Sequence, residues 1–150
     1  MKLTNKIFLI GGLLILLSGC DLRPIFNIGV DVNGEGDVVE IQTNNLEASS
    51  IRIYDIHKKQ GTITSQIDVK FVSGGEKKVV LKSQQNILDH ITVSSKNNIL
   101  TIKGKNFENY VTKELSVEVH GYTFESMDLS CVNSTLPLSI IDSNKCELSL

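Results

Sequence analysis

The 150-residue chain contains no tryptophan, two prolines, three histidines and three cysteines, and aromatic residues make up only 5% of it. Each shortage closes off a class of function. So few aromatics leave no stacking platform for a lectin-like sugar groove. His57, His90 and His120 fall in neither HxH nor HExxH spacing, so no pair of imidazoles is set toward one metal. They read as surface or turn residues. No serine sits in a GxSxG elbow, and no CxxC offers a redox pair or a zinc knuckle. Lys77-Lys78 is too short for a phosphate-tracking stripe, so nucleic acid is not an expected partner. The sequence calls for no cofactor and no metal.

What is present begins at the amino terminus. Lys2 and Lys6 precede an uncharged block of 11 residues, Ile7 to Leu17. A bilayer span needs about 20 apolar residues, so this is a signal-peptide layout and not a permanent helix. The block ends in Leu17-Ser18-Gly19-Cys20, which resembles the lipobox of bacterial lipoproteins. That resemblance implies a signal peptide over 1–19, cleavage before Cys20, and lipidation of the Cys20 thiol. One acyl chain holds a protein only marginally, and two or three hold it effectively for good. Asp21 resembles the residue that retains enterobacterial lipoproteins at the inner membrane. The expected address is therefore the bacterial cell envelope, on the periplasmic side of the inner membrane or on the outer membrane.

Loss of Lys2 and Lys6 leaves 13 basic and 17 acidic residues, a net charge of −4. That net charge gives no general attraction to acidic lipid head groups. The remaining length suits one domain. Pro24, Asn27, Gly29, Asn33, Gly34 and Gly36 interrupt any regular pattern, so Cys20 to Gly36 reads as a tether, with tether and first strand together over 20–45. Gly34-Glu35-Gly36 reads as a turn, being too short for a dinucleotide fingerprint.

From Leu46 onward apolar residues alternate with polar ones. Ile51, Ile53 and Ile56 open the pattern; Ile67, Val69 and Phe71 follow; then come Val79 and Leu81, Ile91 and Val93, Leu100 and Ile102, and Leu115, Val117 and Val119. Ser73-Gly74-Gly75, Lys96-Asn97-Asn98, Gly104 to Asn106 and Gly121 separate the runs. This is the signature of short strands joined by polar turns, and no segment offers an amphipathic helix of ten residues.

Glu114-Leu115-Ser116, Asp128-Leu129-Ser130 and Glu147-Leu148-Ser149 share an acid-Leu-Ser core at unequal offsets. Over a longer span, IRIYDI, IDVKFVSGGEKKVVLKS, QQNILDHITVSSKNNILTIKG and LSVEVHGYTFESMDLSCVNSTL together resemble the head GIN domain, a family described as autotransporter adhesins of bacterial envelopes. The resemblance covers about 46–150. It implies an all-β, parallel β-solenoid, right-handed and β-helix-like, whose short strands stack as rungs and whose terminal rungs need caps. The strand pattern is still running at Leu150, where the family continues through further coils, so the expectation is a truncated gene product or a last edge covered by another chain. An open solenoid end would favour self-association.

In that register Cys131 falls beside Val117 and Leu150, and Cys146 beside Met127. Four residues of lateral offset amount to roughly 13 Å, too far for a bridge whose Cα atoms lie within about 7 Å, so no disulfide is expected. The same register stacks Glu114, Asp128 and Glu147 about 4.8 Å apart, near the spacing of a retaining glycosidase pair. The leading expectation is a non-enzymatic, lipid-anchored envelope protein that displays its solenoid for binding or adhesion to an envelope protein or a surface glycan. A periplasmic structural or sensing module at the inner membrane is the second reading, and a polysaccharide-active enzyme the third.

Overall fold

In a computed structural model of the chain, residues 29–130, 132–135 and 147–149 are described. Among the described residues fourteen strands and one short helix follow one another: β1 (Val30–Asn33), β2 (Val38–Asn44), β3 (Ser50–Tyr54), β4 (Lys58–Gln60), β5 (Ile63–Ser65), β6 (Ile67–Val72), β7 (Lys78–Gln84), α1 (Gln85–Leu88), β8 (Thr92–Lys96), β9 (Ile99–Lys103), β10 (Glu108–Val111), β11 (Ser116–His120), β12 (Ser126–Leu129), β13 (Val132–Thr135) and β14 (Glu147–Ser149). The alternation in sequence is the alternation in space. Ile67, Val69 and Phe71 are buried while Asp68 and Lys70 are exposed, and Val117 and Val119 repeat the arrangement in β11. Between β8 and β9, Asn97 and Asn98 both take positive φ, 52° and 63°, the backbone that a two-residue hairpin of type I′ requires.

The strands form three sheets. Sheet A has the order β1-β10-β4-β5, sheet B β13-β6-β11-β7-β2, and sheet C β14-β12-β3-β9-β8. Two stretches of chain visit the sheets in the same sequence: β3 in C, β4 in A, β6 in B, and later β9 in C, β10 in A, β11 in B. Corresponding strands pair in parallel. The third visit, β12 in C and β13 in B, pairs with the other side of β3 and β6. The second and third circuits therefore flank the first.

The sheets are all β but mixed, which corrects the expectation of a uniformly parallel stack. β7 with β2, β7 with β11, β4 with β5, and β8 with β9 are antiparallel. The cause is local: short turns fold the chain back where a parallel neighbour would need a long crossover. The turn after β6 shows it most clearly. Residues 73–77 return the chain as β7, yet β6 and β7 do not pair, because β11 occupies the slot between them.

Leaving β11, the chain crosses the ends of the first circuit to reach β12. The Gly121 N–H donates to the Val72 carbonyl (3.0 Å) and the Glu125 N–H to the Ser49 carbonyl (2.7 Å). Gly121 has φ +72°, and a Cβ there would lie 2.8 Å from the Glu76 carbonyl carbon and from the Gly75 carbonyl oxygen. Glycine is the residue this passage admits. Tyr122 and Phe124 then plug the crossing: their rings stack at 5.3 Å, Phe124 meets Phe71 edge-on at 6.3 Å, and the Tyr122 hydroxyl donates to the Leu46 carbonyl at 2.8 Å.

Candidate functional site

β1, β10 and β4 run parallel, so sheet A gathers three amino-terminal strand ends on one side and three carboxyl-terminal ends on the other. A cleft opens at each. Between them, Tyr110 of β10 is fully buried; its hydroxyl accepts from the Lys105 N–H (2.9 Å) and lies 3.4 Å from the His90 carbonyl. Asn109 and Asp31, opposite each other in the ladder, are joined by Asn109 Nδ2 at 3.2 Å, and Lys59 Nζ reaches the second Asp31 oxygen at 2.6 Å. The Lys59 ammonium holds the Asp31 carboxyl below the ordinary range, against a smaller opposing effect of burial.

The amino-end cleft, about 560 Å³, is bordered by Asp89, His90, Lys103, Gly104 and Lys105. Two of these residues engage Glu108 at the start of β10, with one oxygen 2.6 Å from His90 Nδ1 and the other 3.3 Å from Lys105 Nζ. With a partner on each oxygen, this carboxylate is firmly positioned. Gly104 gives this wall its shape, since a Cβ would run into the Asp55 carbonyl oxygen and the Tyr110 hydroxyl.

The carboxyl-end cleft, about 510 Å³, is built by the β1–β2 turn (Gly34, Gly36), the end of β4 and the turn after it (Gln60, Gly61), Gln84 at the end of β7, and Val111 at the end of β10 with Thr112 and Lys113 after it, with Lys59 on its side. Beneath it lies a small hydroxyl network. Ser83 Oγ donates to the Glu114 carbonyl (2.7 Å), and Thr112 Oγ1 donates to Gln84 Oε1 at 2.6 Å while lying 2.9 Å from the same carbonyl. The Gln84 side chain lies over Gly34, whose missing Cβ would fall 2.6 Å from Gln84 Oε1.

Sheet B carries a third polar region on its outer face. Lys70 Nζ lies 3.6 Å and His120 Nε2 2.9 Å from Glu118, and Lys82 Nζ lies 2.6 Å from Glu114, around a trough of about 210 Å³. The His120 hydrogen bond lowers the Glu118 carboxyl, and the hydrogen bond that Lys82 donates to Glu114 raises the Lys82 ammonium.

The structure separates Glu114 from the two other acids that the repeat brought together, while the strands of Asp128 and Glu147 are neighbours in sheet C, two residues out of register. Glu114 pairs with Lys82 beside sheet B, whereas Asp128 lies on sheet C against Arg52 at 3.1 Å. The ladder sets Glu147 opposite Ser126 and Asp128 opposite Ser149. The physical reason is that β11 ends one circuit in sheet B while β12 begins the next in sheet C, so the triplet at Glu114 leads into sheet B and those at Asp128 and Glu147 join sheet C. His57 is buried at 2% exposure, contrary to its reading as a surface or turn residue, and its carbonyl accepts from the Tyr110 N–H at 2.7 Å. Cys20, Asp21, Cys131 and Cys146 lie outside the described residues. Among the described residues no group of three His, Cys, Asp or Glu side chains could hold a metal ion, and no helix is long and apolar enough to cross a membrane.

The sequence reading missed Lys59, Gln84 and Lys113. Gly34-Glu35-Gly36 and Gln60-Gly61 were the available turn signals, but only the long-range parallel pairing of β1, β10 and β4 makes them neighbours.

Three mixed sheets with polar clefts define an all-β domain without a metal centre among its described residues. The chain belongs to the family described as "Putative auto-transporter adhesin, head GIN domain", whose model matches residues 59–136. Its fold is similar to that of a protein described as a putative adhesin from Parabacteroides merdae (TM-score 0.52, 13% identity, 71% of this chain and 40% of that one). It is similar as well to a putative adhesin from Bacteroides fragilis (TM-score 0.55, 12% identity, 67% and 43%) and a putative lipid binding protein from Parabacteroides distasonis (TM-score 0.51, 10% identity, 66% and 40%). The chain thus spans about two fifths of the length of these solved structures. No curated protein matches the sequence.

Proposed function

We propose that this chain is a lipid-anchored cell-envelope recognition module that binds without chemical turnover, attached through Cys20. Its repeated circuits act as coils of a solenoid-like scaffold that presents the carboxyl-end cleft of sheet A. The observation that carries the reading is that cleft: three parallel strand ends and two turns converge on about 510 Å³ of glycine-bordered space with two lysines in its lining. Membership in the adhesin-head family supports it. A binding role is also consistent with the ion pairs that already engage Glu108, Asp31, Glu114 and Asp128.

Asp21 favours a second reading, a structural or sensing module kept at the periplasmic face of the inner membrane. The two are separated by adherence of intact cells producing the wild-type chain, Cys20→Ala or Asp21→Ser. Adherence lost in Cys20→Ala, together with release from the membrane fraction, supports a displayed module. Adherence equal in all three and in cells lacking the chain refutes it.

A further inference from the structure

The chemistry of the carboxyl-end cleft selects its ligand more narrowly than the word adhesin does. No aspartate or glutamate lines it; Glu35 and Asp37, on the adjoining turn, are exposed and outside the lining. Lys59 and Lys113 bring two ammonium groups, and Asp31 takes one of the three Lys59 protons. Gln84 has its amide oxygen engaged by Thr112, which leaves the Nε2 donors as its contribution. Gly36 and Gly61, at φ +80° and +62°, have open space where a side chain would stand, so a ligand can approach the backbone there. The charged side chains of the lining are thus both cationic donors, and no acidic acceptor faces them from within it.

A ligand for such a cleft carries negative charge and many oxygens. Val111 is the one apolar side chain in the lining, so neither a nucleotide base nor the apolar side chains of a peptide find a slot. The volume exceeds what a lone inorganic anion fills and falls within the usual range for small organic ligands, about 300–1,000 Å³. Aromatic stacking, the usual grip on a neutral sugar, is absent from the lining. Resting on the recognition-module reading, we infer that the cleft between Gly34–Gly36, Gln60–Gly61 and Val111–Lys113 binds an acidic saccharide, a uronic-acid-bearing oligosaccharide held by Lys113, Lys59 and Gln84.

The test is titration calorimetry on the detergent-solubilised full chain with tetragalacturonate, neutral cellotetraose and inorganic sulfate, at low and high salt. The expected result is saturable binding of tetragalacturonate, weakened by salt and by about tenfold in Lys113→Glu and Gln84→Leu, with cellotetraose and sulfate at least tenfold weaker still. Lys78→Glu, on the outer face of sheet B, should bind as wild type does. The Lys113 backbone carbonyl that Lys58 Nζ contacts survives Lys113→Glu, and melting curves verify that each variant folds. Equal losses in Lys113→Glu and Lys78→Glu, equal binding of the neutral tetramer, or sulfate binding as tight as the saccharide would each overturn the assignment. Failure to bind tetragalacturonate while cells still adhere through the anchored chain refutes the acidic-saccharide ligand alone; failure of both refutes the recognition module as well.

Discussion

Replacing Gly121 with alanine tests how the circuits are threaded. The residue lies where the chain leaves β11 and passes the 73–77 turn, with backbone atoms of Gly75 and Glu76 2.8 Å from the position of a Cβ. Two costs add. Holding an L-residue in the left-handed region costs about 1–2 kcal/mol, and forcing a methyl against fixed backbone costs about 1–3 kcal/mol more. The sum, roughly 2–5 kcal/mol, is a large share of the 5–15 kcal/mol that typically holds a domain together. Thermal unfolding followed by circular dichroism should show a fall in Tm of roughly 8–20 °C. Gly61→Ala is the internal control: it has φ +62° but nothing within 4 Å of its Cβ, so only the backbone cost of about 1–2 kcal/mol applies. Equal falls in the two variants would refute the close passage at Gly121.

Tyr110→Phe removes a buried hydroxyl that accepts the Lys105 N–H, and should cost about 1–3 kcal/mol in urea denaturation with an unchanged m-value. The depressed Asp31 carboxyl stabilises the fold above its unfolded pKa near 4, and that contribution fades as pH falls through the lower folded value. Because Asp31 is about two-fifths exposed, the pair is worth no more than about 1 kcal/mol, and Lys59→Met should flatten the pH dependence of Tm below pH 4 by that amount. Cys131 and Cys146 should remain two titratable thiols after unfolding, with identical electrophoretic mobility with and without reductant.

Legibility in the sequence followed the alternation of apolar residues. Ile51, Ile53, Ile67, Val69, Leu100, Ile102, Val117 and Val119 announced their strands and are all buried. Sheet A gave no such signal. β4 is Lys58-Lys59-Gln60, with no apolar residue at all, and β10 buries Glu108, Asn109 and Tyr110 in succession, so no period of two can be seen. Both of its clefts were hidden for the same reason. β1, a strand within the stretch read as tether, is held by pairing to β10, seventy-eight residues away in register. The triplets Glu114-Leu115-Ser116 and Asp128-Leu129-Ser130 were similar because both mark strands with one buried face, and that likeness carries no information about which sheet each strand joins.

The proposal that this chain is a displayed recognition module is tested most directly by protease accessibility of an epitope-tagged full chain in intact cells, with outer-membrane permeabilisation as the comparison. Digestion in intact cells, with the protein in the membrane fraction, is the predicted result. Protection until permeabilisation, with the protein in the inner-membrane fraction, would contradict surface display and identify Asp21 as a working retention signal.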